Sequence, residues 1–144
     1  MPKLSTTAKF AMGMQVFLLR RGWMGKMGEF VMVITTTGRK SGKKFTTPIA
    51  YQRDGEHIIA INQGNSNWFQ NVAASGEAVL EIQRQVMPVT GVVVRDEQER
   101  QRIFGLYRQN PATFERLFKV AANAPDSEIQ SALAKWQFVR FTKK

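Results

Sequence analysis

Seven consecutive residues carry the densest chemistry of the chain: Gly38-Arg39-Lys40-Ser41-Gly42-Lys43-Lys44 places four cations and one hydroxyl around two glycines. A glycine-bounded turn can gather successive backbone N–H groups into a concave donor site. Guanidinium and ammonium groups beside it add charge-assisted hydrogen bonds to a phosphate. The spacing is not that of a nucleotide P-loop, which needs four residues between its first glycine and its Gly-Lys pair, whereas Gly38 and Gly42 enclose three. Alone, the segment reads equally well as an anion site or as a solvated basic hairpin.

Several other chemistries are excluded by composition. The absence of cysteine removes a disulfide framework, thiolate metal sites and a cysteine nucleophile, and fits a reducing compartment. With His57 as the single histidine, a Ser-His-Asp triad would rest wholly on it, a histidine-rich zinc site cannot be built, and no metal is expected. The balance of 21 Lys and Arg against 11 Asp and Glu, a net charge of +10, implies polyanionic company: nucleic acid, anionic lipid or a phosphorylated cofactor. A lysine-rich soluble surface explains the same number. No nucleic-acid-binding motif is present and Lys143-Lys144 is too short for a basic arm, so nucleic acid is disfavoured as a partner.

The elements that must position the basic turn follow from periodicity. FVMVITTT (30–37) is β-branched and apolar, a buried strand that stops at Gly38. FTTPIAYQRD (45–54) resumes β character. Pro48 cannot donate a ladder hydrogen bond, which predicts an edge or bulge where backbone is free to meet a ligand. Asp54-Gly55 predicts a two-residue hairpin and HIIAIN (57–62) the third strand of a meander. Asn67 is expected to cap a helix over 68–75 that Gly76 stops. Two strands follow, AVLEIQ (78–83) and VMPVTGVVV (86–94), the second interrupted by Pro88 and Gly91. Asp96 and Glu99 have capping-box spacing ahead of Ile103, Phe104, Leu106 and Tyr107, and Asn110-Pro111 separates that helix from another with Phe114, Leu117, Phe118 and Ala121 on its buried stripe. A helical turn over 128–133 and a strand over 135–141 close the chain. About six mostly antiparallel strands with flanking helices predict an α+β fold with a barrel-like sheet. A doubly wound parallel sheet is disfavoured, because only turns separate the first three strands.

Ahead of this barrel, residues 1–28 carry Lys3, Lys9, Arg20, Arg21 and Lys26 with no acid before Glu29, and Phe10, Met14, Phe17 and Leu18 fall at helical spacing. The expectation is a basic amphipathic helix that packs on the domain or touches a membrane surface. Its apolar stretch is too short to span a bilayer and lacks a signal-peptide cleavage site. The organisation expected is this helix (1–28) and a barrel domain (29–144), one domain overall.

The ordered set ITTTGRKSGKKFTTPIAYQRDGEHIIAINQG, followed by NWFQNVAASGEAVLEI, resembles the deazaflavin-dependent nitroreductase and quinone reductase family, related in fold to the flavin mononucleotide-binding split barrels. The resemblance covers about residues 30–82. It implies a split β-barrel oxidoreductase that passes a hydride from a reduced deazaflavin coenzyme (F-420), or with flavin mononucleotide as the alternative cofactor, to a quinone, nitroaromatic or conjugated enone. It implies further that Arg39, Lys40, Ser41 and Gly42 hold the cofactor phosphate, with Lys44 nearby, and that Pro48, Ile49 and Ala50 pass their backbone along the cofactor. Ile61, Asn62, Gln63 and Gly64 would lie against the ring, and Trp68 and Asn71 would seat the loop. Where the family often carries Pro-Arg, this chain has Lys44-Phe45, and Lys44 replaces that arginine only if a bulge turns it to the same face. No catalytic residue is singled out: Tyr107, Tyr51, a serine or water are the candidate proton donors. The expected partners are a small-molecule electron acceptor and a second copy of the chain, in the cytoplasm, with membrane contact through the N-terminal helix. A cofactor holder without catalysis is the rival from another functional class.

Overall fold

A run of β-branched and apolar residues with polar turns between them forms an antiparallel barrel in the computed structural model, which describes residues 31–144. Strand β1 (Val31–Thr37) pairs with β2 (Lys44–Asp54), β2 with β3 (His57–Asn62), β3 with β6 (Gln137–Lys143), β6 with β5 (Gln85–Val93), and β5 with β4 (Glu77–Ile82), which closes on β1. The β1–β2 register is unbroken from Val31↔Ala50 to Thr37↔Lys44. Residues 44–50 of β2 pair with β1 alone, whereas β2 meets β3 only from Tyr51↔Ala60 onward. Beyond that pair no strand among the described residues opposes the β3-side edge of β2 beside Pro48.

Alternation along the strands divides the side chains between two cores. Met32, Ile34, Tyr51, Ile58, Ala60, Leu80, Val89 and Phe141 point into the barrel, whose end is plugged by Trp68 and Val72 of helix α1 (Asn67–Ser75). On the outer face of β3 and β6, Ile59 and Phe138 pack under α2 (Glu97–Arg108), α3 (Pro111–Phe118) and α4 (Asp126–Ala134). An aromatic cluster fills this layer: Phe104 meets Phe114 and Phe118 at centroid separations of 5.0 and 4.8 Å.

The local signals act largely as read, with four differences. Ser66, extended at φ −65°, ψ 150°, occupies the cap position of α1 in place of Asn67, and its hydroxyl donates to Asn62 Oδ1 rather than capping the helix. Strand β5 runs through Pro88 and Gly91 without interruption. Pro88 faces outward and its carbonyl accepts from the Lys144 N–H, while Gly91 allows Val72 and Phe141 to approach, since a Cβ there would lie 2.7 and 2.9 Å from them. Asp96 Oδ2 caps α2 by accepting from the Glu99 N–H at 3.0 Å, but the Glu99 carboxylate pairs with Arg102 and Arg140. Helix α3 stops at Phe118, where Lys119 turns left-handed (φ 61°), so Ala121 lies beyond it. The expected N-terminal helix and its domain boundary fall outside the described residues. Among the described residues no helix is long and apolar enough to cross a membrane, and no group of acidic and histidine side chains is arranged to hold a metal.

Candidate functional site

The β1–β2 turn is held from within and from below. The Gly38 N–H donates to the Lys43 carbonyl at 2.7 Å, the Gly42 N–H to the Gly38 carbonyl at 3.0 Å, and the Lys43 N–H to Ser41 Oγ at 3.2 Å. Gly42 sits at φ 72°, a conformation glycine adopts freely, and Gly38 is required by contact: a Cβ there would lie 2.7 Å from Cε2 of Phe45 and 2.8 Å from Ser41 Oγ. From below, Asn71 of α1, 1% exposed, accepts at Oδ1 from both the backbone N–H (3.2 Å) and Nη1 (3.0 Å) of Arg39. Its Nδ2 donates to Thr36 Oγ1 at 3.1 Å, so the amide ties turn, helix and strand together.

Among the described residues, the N–H groups of Lys40 and Ser41 take no hydrogen-bond partner and so can donate to a ligand. No carboxylate among the described residues pairs with Arg39, Lys40, Lys43 or Lys44. An exposed loop with backbone donors, a hydroxyl and a cluster of cations, of which Lys44 feels a carboxylate, Glu77, at longer range, suits a phosphate on chemical grounds.

Lys44 does not take the place of the missing arginine. With no bulge in the β1–β2 ladder, Lys44 and Phe45 face opposite sides. Lys44 lies on the outer face, where Nζ donates to Thr37 Oγ1 at 2.7 Å, and Phe45, 44% exposed, lies on the Thr36 side against Gly38. The outer face continues through Thr46, Pro48 and Ala50, a track of roughly 20 Å at the rise of a β-strand. It ends in a cleft of about 310 Å³ lined by Val31, Ala50 and Gln52 on one side and by Tyr107, Asn110, Thr113 and Arg116 on the other. The Tyr107 ring stacks on Phe138 and meets Phe118 edge-on, yet its hydroxyl is buried with no hydrogen-bond partner among the described residues. Burial pushes that phenol well above its ordinary value.

The residues singled out in the sequence therefore separate into groups. Arg39, Lys40, Ser41, Gly42 and Asn71 come together at the turn, and Lys44, Pro48 and Ala50 share the outer track. Ile49 faces the barrel core, Ile61 packs into the helical layer and Trp68, 7% exposed, anchors α1 in the barrel. Asn62 is buried and spends its amide on the loop, with Nδ2 donating to the Gly64 carbonyl at 3.0 Å and to Gln137 Oε1 at 2.9 Å. Gly64 is exposed at φ 83°, and Gln63 opens onto a different cleft beside α4. Gln52, Asn110, Thr113 and Arg116 were not anticipated. The spacing of 110, 113 and 116 opposite the buried Phe114 and Phe118 is a helical polar face that the sequence does carry.

A family model described as F420H(2)-dependent quinone reductase matches residues 12–124. Among solved structures, an F420-H2 dependent reductase is 22% identical, with a TM-score of 0.53, 76% of this chain and 92% of that one covered. A FAD-binding protein from Mesorhizobium loti is 11% identical at a TM-score of 0.57, with 98% and 91% covered. A structure described as a domain-swapped dimer is 19% identical at a TM-score of 0.58, with 97% and 100% covered. At these identities the solved structures establish the split-barrel fold.

Proposed function

The chain belongs to the F420H(2)-dependent quinone reductase family, and from that premise we propose that the turn at 38–43 holds the phosphate of a deazaflavin coenzyme while the cleft at Ala50 and Gln52 receives an electron-poor acceptor. The family makes the protein a deazaflavin-dependent oxidoreductase, with a flavin as the alternative cofactor. Bound in its reduced state, such a coenzyme supplies a hydride, which explains how a chain without cysteine and with one histidine does redox chemistry.

The chain's own residues bind, orient and protonate. Lys40, Ser41 and the turn's free N–H groups take the phosphate, and Asn71 keeps Arg39 in place beside them. Val31 and Ala50 give the cleft an apolar wall that excludes water. The Tyr107 ring lines the cleft, and its hydroxyl, closed off from solvent in the free protein, would donate to the acceptor oxygen on which negative charge develops once the bound acceptor uncovers it. The observation that carries this reading is the continuity of one face of β2 from Lys44 through Pro48 to Ala50, which connects the basic turn to the cleft.

The acceptor class is a quinone, nitroaromatic or conjugated enone. Mixing protein with reduced deazaflavin and, separately, menadione, a nitroimidazole and cyclohexenone, and following reoxidation, tests it. Saturable turnover of at least one acceptor is expected, and coenzyme binding without turnover of any would leave a cofactor holder in its place. A homodimer is part of the proposal, on the likeness to the domain-swapped structure and on Val86 and Val92, 63% and 64% exposed on β5; sedimentation as a monomer at micromolar concentration would remove it. A cytoplasmic location, at the inner membrane face when the acceptor is a membrane quinone, is likewise proposed and is open to fractionation.

A further inference from the structure

A second cleft, about 510 Å³, lies away from the β2 track, between the C-terminal end of α3 and the length of α4. The family match ends at residue 124 and α4 begins at Asp126, so most of this cleft is built from a stretch that the family model does not match.

Two ammonium groups, Lys119 and Lys135, line it against a single carboxylate, Glu128, and no ion pair among the described residues engages either lysine. Ser127 and Ser131, four residues apart and so on one face of α4, add hydroxyl donors. Phe118 and the half-buried Trp136 supply an aromatic floor, their rings 5.1 Å apart. The backbone at Lys119 is left-handed at φ 61°, which glycine would hold with less strain, yet a long cation stands there. A cleft with an aromatic floor, hydroxyl donors and an excess of unpaired cations matches an anion on an apolar body.

We propose that this cleft is a second ligand site that takes an organic carboxylate with an aromatic or branched apolar body, its carboxylate held by Lys119 and Lys135. The site is independent of the deazaflavin reading. Gln63, which lines the same cleft, connects it to the loop that follows β3.

Both lysines also close helix C-termini, where a cation favours the helix dipole whatever binds nearby. Binding and stability therefore have to be read together. The full-length protein is titrated with 2-naphthoate and with the neutral 2-naphthalenemethanol, followed by amide NMR shifts and calorimetry. Naphthoate is expected to bind saturably and to shift amides within 118–136 and at Gln63, with the alcohol weaker by about tenfold. Lys119→Gly, which relieves backbone strain, is expected to weaken naphthoate about fivefold at an unchanged or higher Tm, and Lys135→Gln to weaken it similarly. Equal binding of acid and alcohol, shifts confined to other surfaces, or wild-type naphthoate affinity in both variants would overturn the proposal.

Discussion

One side-chain oxygen, Asn71 Oδ1, accepts from both the main-chain N–H and the Nη1 of Arg39, at 3.2 and 3.0 Å. Because Asn71 is buried on α1 and also donates to Thr36, the basic turn is anchored to the helix that plugs the barrel. The surface loop is thereby tied to the packed core, and its donors are set before any ligand arrives. Such preorganisation lowers the ordering cost of binding.

Asn71→Ala removes all three hydrogen bonds and leaves Thr36 Oγ1 without its donor. The variant is expected to lose about 1–3 kcal/mol of stability. Its affinity for the coenzyme should fall further than unfolding explains, because Arg39 is released. Urea melts and a fluorescence titration at a temperature where the variant is fully folded separate the two effects. Unchanged affinity would mean that Asn71 serves the fold alone.

Gly38→Ala places a methyl group against the Phe45 ring and Ser41 Oγ, so the turn has to shift. A cost of about 1 kcal/mol or more is expected from overpacking. The ring is the removable obstacle, so Phe45→Ala in the same chain should restore part of the loss. Thermal melts of the two single variants and the double variant form a cycle, and additive losses would show that the contact does not govern the turn.

Tyr107→Phe deletes a buried hydroxyl that has no hydrogen-bond partner among the described residues. Stability is expected to stay level or rise by up to about 1 kcal/mol, whereas kcat with a carbonyl acceptor should fall about 100-fold if the phenol donates the proton. Coenzyme affinity should not change. Wild-type kcat in this variant would transfer the proton-donor role to another group.

Arg102 donates to Asp54 Oδ1 at 3.1 Å and Oδ2 at 2.7 Å, joining the end of β2 to α2. This hydrogen bond holds the Asp54 carboxyl below its ordinary value of 3.8, and the same guanidinium lowers Glu99. A carboxylate with a depressed folded pKa stabilises the fold above its unfolded pKa, and that contribution disappears as the pH falls through the folded value. The urea midpoint should therefore drop below about pH 4, by an amount worth at most about 1 kcal/mol for the partly exposed Asp54 pair. Arg102→Met should flatten that acid limb and leave the midpoint near neutral pH lower. An acid limb of wild-type size in the variant would place its origin elsewhere.

The strands and the start of α2 were legible in the sequence because their causes are local: β-branched runs, the Asp54-Gly55 turn and the Asp96 cap each act within a few residues. Ser66 displaced Asn67 as the cap position because the helix starts one residue earlier, and the Ser66 hydroxyl is taken by Asn62. Pro88 did not break β5, since it faces outward and still lends its carbonyl to Lys144. The basic turn was legible as a donor site, but its anchor required knowing that α1 returns beneath it. The cleft was not legible, because Gln52 and Arg116 are brought together only when α3 folds across the barrel. The side chains of Ile49 and Ile61 pack into the two cores, and Trp68 anchors α1 in the barrel, a role its place on the helix that seats the loop allows.

The central claim is that the turn at 38–43 grips a phosphate, and it is tested most directly by comparing the dissociation constants of the deazaflavin coenzyme and of its phosphate-free riboside, in the wild type and in Lys40→Ala/Ser41→Ala. The wild type should bind the phosphorylated ligand about 100-fold more tightly, the worth of two charge-assisted hydrogen bonds, and the variant should lose most of that difference while binding the riboside as before. Equal affinity of the wild type for the two ligands, or a preference that survives intact in the variant, would contradict the account.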